Sequence, residues 1–146
     1  MKGIVLLLVL VYSSAFAQSH EQLAREYHAI VFAIQRQEIL EDSTKAAVAR
    51  QPELAPYSAV YRGWLAGILD SKEYEERMVK TYMELVSPNE LAFLIENSGL
   101  GAYRQYMVSQ PLIERIKLER TVALTRSHHR ELLERLKQAG YFPFAR

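Results

Sequence analysis

The sequence predicts an all-α protein: a compact bundle of about five or six helices, with a long C-terminal helix, after a cleaved signal peptide. Three observations lead there. Apolar residues recur at steps of three and four along residues 18–146, the spacing that gathers side chains on one helix face. The interruptions carry serine caps and prolines. No run alternates cleanly with β-branched enrichment, as a half-buried strand would.

Lys2, the apolar run Ile4 to Val11, and Ser13-Ser14-Ala15-Phe16-Ala17 supply the charged, apolar and small-residue parts of a secretory signal. Cleavage after Ala17 makes residues 1–17 the signal peptide and leaves residues 18–146 as a single helical domain beginning Gln18-Ser19-His20. The run is far shorter than the roughly 20 residues that span a bilayer, so no stable membrane anchor is expected after cleavage. An uncleaved amphiphilic helix is the alternative. The expected location is periplasmic or secreted.

The chain carries 18 Lys and Arg against 17 Asp and Glu, and losing Lys2 makes the mature form neutral. That balance argues against a nucleic-acid binder and a polybasic membrane-surface protein. There is no cysteine, which excludes disulfides, thiolate metal sites, cysteine nucleophiles and an acylated N-terminal cysteine. A domain held by packing alone fits a bacterial envelope or secreted protein better than a eukaryotic extracellular one.

The first helix is expected from Ser19 to Leu40, with Leu23, Tyr27, Ile30 and Ile34 on one face and Ser19 as cap. Glu41-Asp42-Ser43-Thr44 should end it, with a short helical piece from Lys45 to Arg50. Pro52 and Pro56 mark the clearest break, and Pro56 suits the first turn of the next helix, to Leu69. That helix shows an aromatic stripe, Tyr57, Tyr61, Trp64 and Ile68, and a small-residue row, Ala59, Gly63 and Gly67, expected to admit a close neighbour. Asp70-Ser71-Lys72-Glu73 reads as a capping box for a helix through Val86, burying Tyr74, Met78, Thr81, Tyr82 and Leu85. Ser87-Pro88-Asn89-Glu90 starts a short helix that buries Leu91, Leu94 and Ile95 and stops at Asn97-Ser98-Gly99-Leu100-Gly101 in C-cap style. Another short helix carries Tyr103, Tyr106 and Met107. The last runs from Pro111 to Ala139, closed by Gly140, with a heptad-like seam of Leu118, Val122, Thr125, His129, Leu132, Leu136 and Ala139. Residues 125–131 contain no apolar side chain, so the helix should be exposed, bent or met by a polar partner there.

No catalytic signature emerges. His20-Glu21 opens like a zinc-protease helix, but Ala24 stands where the second histidine belongs. The di-iron Glu-x-x-His pattern, the nucleophile elbow and the phosphate-binding glycine loop are missing. His128 and His129 with Glu131 suggest a metal site or a pH-responsive contact, against a solvated His128 beside a hydrogen-bonded His129. Neighbouring helical residues point about 100° apart, which favours the second reading. His20 and His28 read as surface residues. Tyr57, Tyr61, Trp64, Tyr74, Tyr82, Tyr103 and Tyr106 could line a peptide or sugar groove, or be the bundle's core. Tyr141, Phe142 and Phe144 in the tail should dock on the bundle or on a partner, or else close the end of the core.

The stretch from Met83 to Ile116 resembles the bacterial domain of unknown function 2059 family. The residues are Leu85-Val86-Ser87-Pro88-Asn89-Glu90-Leu91, like that family's (F/L)-T-x-E-E-L helix start, then Leu94-Ile95. Ser98-Gly99-Leu100-Gly101 follows, similar to its Ser-Pro-x-Gly turn with Gly99 in place of proline, and then Gln110-Pro111-Leu112. The resemblance implies an exported, all-helical protein and no particular activity.

The functional expectation is a non-catalytic helical protein of the cell envelope that binds a protein partner or its own copy. The alternative is a small-ligand, peptide or glycan module using a Tyr/Trp-lined cavity. The candidate binding residues are Tyr57, Tyr61, Trp64, His128, His129, Phe142 and Phe144. No catalytic residue, metal, cofactor or nucleic acid is expected.

Overall fold

The structure, a computed structural model, describes residues 18–143; the signal-peptide reading of residues 1–17 and the expectation for Phe144 lie outside the described residues. Among the described residues seven α-helices follow one another: α1 (His20–Arg50), a 3-10 segment (Pro52–Tyr57), α2 (Ser58–Leu69), α3 (Lys72–Leu85), α4 (Pro88–Glu96), α5 (Gly101–Met107), α6 (Pro111–Ser127) and α7 (His129–Gln138). The described residues contain no strand, so the expected all-α bundle is what forms. Helix α1 is its spine, packing on α2, α3 and α4, while α6 lies on α3 and α7 on α2.

Helix α1 runs unbroken for 31 residues, against the expected stop at Glu41. Nothing between His20 and Arg50 is glycine or proline, and the Thr44 hydroxyl donates to the Leu40 carbonyl at 2.6 Å. The polar run is thus accommodated inside the helix rather than ending it. Ser19 caps as expected, in a reciprocal pair: its Oγ accepts from Gln22 N at 3.1 Å and Gln22 Oε1 accepts from Ser19 N at 2.9 Å. The buried stripe is Leu23, Ala24, Tyr27, His28 and Val31. His28 is therefore core, not surface, because it faces Phe32, Tyr74 and Tyr82. His20 bonds the Val86 carbonyl at 3.0 Å.

Helix α3 begins on Ser71, whose Oγ accepts from Tyr74 N at 3.1 Å. Asp70 does not cap it, because Arg36 of α1 holds that carboxylate bidentately at 2.6 and 2.7 Å. Tyr74, Met78, Thr81 and Tyr82 are buried as expected, with Val79 beside them. Ser87 caps α4 through Glu90 N at 3.2 Å, with Pro88 at the first helical position. The stop at Asn97 needs no left-handed glycine: the Asn97 side-chain amide donates to the Phe93 carbonyl at 2.8 Å. Gly140, φ 95°, is the described residue with positive φ.

Two expectations about faces are overturned. The row of Ala59, Gly63 and Gly67 is exposed, and a Cβ added at Gly63 or Gly67 would meet nothing within 4 Å. No neighbour packs there, since α1 and α7 lie on the faces of α2 that carry bulk. The expected seam of the last helix holds only for Leu132 and Leu136. Leu118 and Val122 are 63% and 37% exposed, and the inward positions of α6 are Ile113, Lys117 and Leu124. A charged residue is acceptable inside because Lys117 Nζ meets Gln35 Oε1 at 2.7 Å and Glu114 Oε1 at 2.9 Å, over the Tyr82 ring. Burial lowers the Lys117 pKa, with Glu114 opposing.

The long C-terminal helix is also two helices. His128 (φ −99°, ψ 8°) separates α6 from α7. Just before it, the Thr125 and Ser127 hydroxyls donate back to the Val122 and Leu124 carbonyls at 2.9 and 2.7 Å, the side-chain-to-backbone bonding that bends helices. The polar stretch is where the chain bends.

Candidate functional site

The bend brings α7 onto α2, and the contact between them assembles an open concavity. Trp64 sits at its base, 4% exposed. Its indole Nε1 donates to the His128 carbonyl at 3.2 Å, so the tryptophan holds the α6–α7 junction in place. Tyr61, one turn earlier, leans on it at 5.5 Å between ring centroids. Burial raises the Tyr61 pKa, with the charge of Arg50 opposing.

The far wall is set by the end of α7. Tyr141 N donates to Leu136 O at 2.9 Å and Gly140 N to Lys137 O at 3.0 Å. This is the paired closure of a Schellman motif, which needs Gly140 in its left-handed conformation. The closure turns Tyr141 inward, edge-on to Tyr57 at 5.3 Å, and the Tyr57 hydroxyl donates to the Gly140 carbonyl at 3.3 Å. Tyr141, not Phe142, closes this end of the core, for Phe142 is 63% exposed.

Between these walls lies an open groove of about 600 Å³. Leu54, Tyr61, Trp64, Leu132, Leu133 and Leu136 give it an apolar surface, and Arg50, Arg126 and His129 are its basic lining residues. Residues far apart in sequence thus meet at one end of the bundle: Tyr61 and Trp64 with His129 in the groove, Tyr57 behind its wall. His128 contributes its carbonyl and turns its ring elsewhere. Leu54, Arg50 and Arg126 were not singled out from sequence, whereas Tyr141 was one of the tail aromatics expected to dock or to close the end of the core. Arg126 lay inside the apolar-free stretch, which was its one available signal.

The His128 ring meets carboxylates from two helices, Glu73 at 3.4 Å and Glu131 at 3.6 Å. Each ring nitrogen faces a different one, and both carboxylates are already held, Glu73 by Arg77 at 3.0 Å and Glu131 by Arg135 at 2.6 Å. The Glu73 pKa is lowered first by Arg77 and then by His128. The ring thus links α3 to the bend through half-exposed polar contacts. Among the described residues no group of three or more histidine and carboxylate side chains converges to hold a metal ion.

A second polar cluster is buried in the core. His28 Nδ1 and the Tyr82 hydroxyl have no hydrogen-bond partner among the described residues, and Tyr27 OH reaches the Met107 carbonyl at 3.4 Å. Burial pushes the His28 pKa down to about 4, against a raising contribution from Glu75. It pushes the Tyr74 hydroxyl up to about 12. No helix among the described residues is long and apolar enough to cross a membrane. No protein-family model, curated protein or solved structure matches the chain.

Proposed function

We propose that the protein is exported to the periplasm or cell exterior and acts there without chemistry of its own, as an accessory factor that grips a segment of a partner protein. The observation that carries this is the groove at the α2–α7 contact. It places Trp64, Tyr61, Arg50 and Arg126 around one concavity, and tryptophan, tyrosine and arginine are the residues that most often dominate binding energy at protein interfaces. Exposed Phe142 stands beside Tyr141 at the same end. Kinship with the domain of unknown function 2059 proteins belongs to the same proposal, and rests on the Ser87-Pro88 helix start and the residues around it.

The test is site-specific photo-crosslinking in cells, with the photoreactive side chain at Leu133 in the groove and, as control, at Lys72. One protein captured at comparable amount from Leu133 and not from Lys72 supports the reading, and an adduct with a second copy makes the partner the chain itself. Recovery of uncrosslinked monomer alone refutes it. The mass of the recovered chain tests export: a start at Gln18 supports cleavage, an intact Met1 refutes it.

The second reading, a small-molecule or glycan ligand, is favoured by one feature. The Tyr61 ring, leaning on Trp64, offers aromatic surface on the groove wall, and the groove's volume of about 600 Å³ falls within the roughly 300–1,000 Å³ of small-molecule sites.

A further inference from the structure

The groove is one-sided in charge. Of the fourteen residues that line it, Arg50, Arg126 and His129 are basic and none is aspartate or glutamate, in a chain whose overall charge is only +1. Arg25, Arg36, Arg77, Arg120 and Arg135 are each closed onto a carboxylate. Among the described residues, Arg50 and Arg126 have no such partner, as is also true of Arg62, Arg104, Arg115 and Arg130, which lie outside the groove; both groove arginines end helices in positions that complement the dipole.

The apolar part is shallow. Trp64, Leu132 and Leu136 are only 4%, 6% and 3% exposed, so the base is already packed, while Leu133 at 36% stands at the lip. Such a surface provides sockets for one or two side chains and remains open to water. An alkyl chain would require a deeper, enclosed channel to leave water.

Resting on the groove reading above, we propose that its occupant is an acidic amphipathic peptide segment of a partner protein. Aliphatic or aromatic anchors of that segment enter between Tyr61, Trp64 and Leu133, and its carboxylates face Arg50 and Arg126. Arginine suits this role because its planar fork pairs bidentately with carboxylates. The rim is exposed, so charge here selects the partner and speeds its capture more than it adds affinity, and the effect weakens with salt.

The chain has a single tryptophan, and it forms the base of the groove, so its emission reports occupancy directly. The probes are a synthetic amphipathic peptide with leucine anchors flanked by glutamates, its twin with lysines replacing the glutamates, and dodecanoate. The acidic peptide is expected to shift Trp64 emission saturably and to bind at least about tenfold more tightly than the lysine twin at low salt. Arg50→Gln/Arg126→Gln should abolish that preference, Arg50→Glu/Arg126→Glu should invert it, and Arg104→Glu, outside the groove, should leave it unchanged. Far-UV circular dichroism confirms that each variant is folded. Equal binding of the two peptides overturns the charge inference and leaves the groove reading standing. A response to dodecanoate alone overturns the occupant class. Failure of every probe to move Trp64 or to bind overturns both the inference and the groove.

Discussion

Acidification should unfold this protein through one buried side chain, His28. The ring is 7% exposed, stacked on Phe32 at 5.4 Å and flanked by Tyr74 and Tyr82, with Nδ1 unpartnered among the described residues. Burial lowers its pKa from 6.5 to about 4; Lys117 and Arg25 push the same way and Glu75 opposes. Between those values the unfolded chain binds a proton that the folded chain refuses. Stability is therefore fully present above pH 6.5 and falls as the pH drops toward 4. At about 1.36 kcal/mol per pKa unit the loss approaches 3 kcal/mol, a large part of a typical total of about 5–15 kcal/mol. The perturbation is His28→Leu, which keeps an apolar side chain of similar size and removes the titration. Asp70, Glu73 and Glu84 also have lowered pKa values, each held first by a hydrogen bond from Arg36, Arg77 or Arg120. Their losses begin near the ordinary values, 4.5 for the two glutamates and 3.8 for Asp70, and are common to both proteins, so they cancel in the difference. The assay is urea unfolding followed by circular dichroism from pH 7 to 4. The variant should shed about 3 kcal/mol less than the parent across that range. Parallel curves for the two proteins would refute the argument.

Other expectations follow from packing and backbone geometry. Gly63→Ala should raise stability by about 0.5–1 kcal/mol, because alanine is the better helix former and its Cβ meets nothing within 4 Å; a drop in melting temperature would revive the close-packing role. Gly140→Ala should have the opposite sign, costing about 1–2 kcal/mol at φ 95°, with a change in Trp64 emission as Tyr141 loosens. Lys117→Ala should cost about 3 kcal/mol, and Lys117→Met much less, since methionine keeps an unbranched stem in the buried position while Glu114 is partly solvated; equal losses in chemical denaturation would contradict this. Ser87→Ala should cost about 1 kcal/mol through the lost bond to Glu90 N, read from the same denaturation midpoints.

The all-α class, most helix starts and the turn at Gly140 were legible in the sequence because their causes are local. A serine two or three residues before a free N–H caps a helix wherever that helix lies, as Ser19, Ser71 and Ser87 do. At the start of α3 the box expected on Asp70 shifts by one residue to Ser71, and the Asp70 carboxylate is instead held by Arg36, far away in sequence. The continuation of α1 past Glu41 was ambiguous locally for the same reason that polar residues are neutral in helices: they neither require burial nor forbid the helix.

The sequence by itself determined the periodicity of the helices, where they are capped, and which residue types were available to a site. Those follow from interactions within a turn or two of backbone. Only the tertiary structure decided that His28 and Lys117 lie inside, that Gly63 and Gly67 face water, and that Arg50, Trp64 and His129 share one groove. Burial is set by what packs against a face, and a helix presents several faces with nearly equal claims. The partner helix chooses among them, and its choice is a long-range contact that local pattern does not encode.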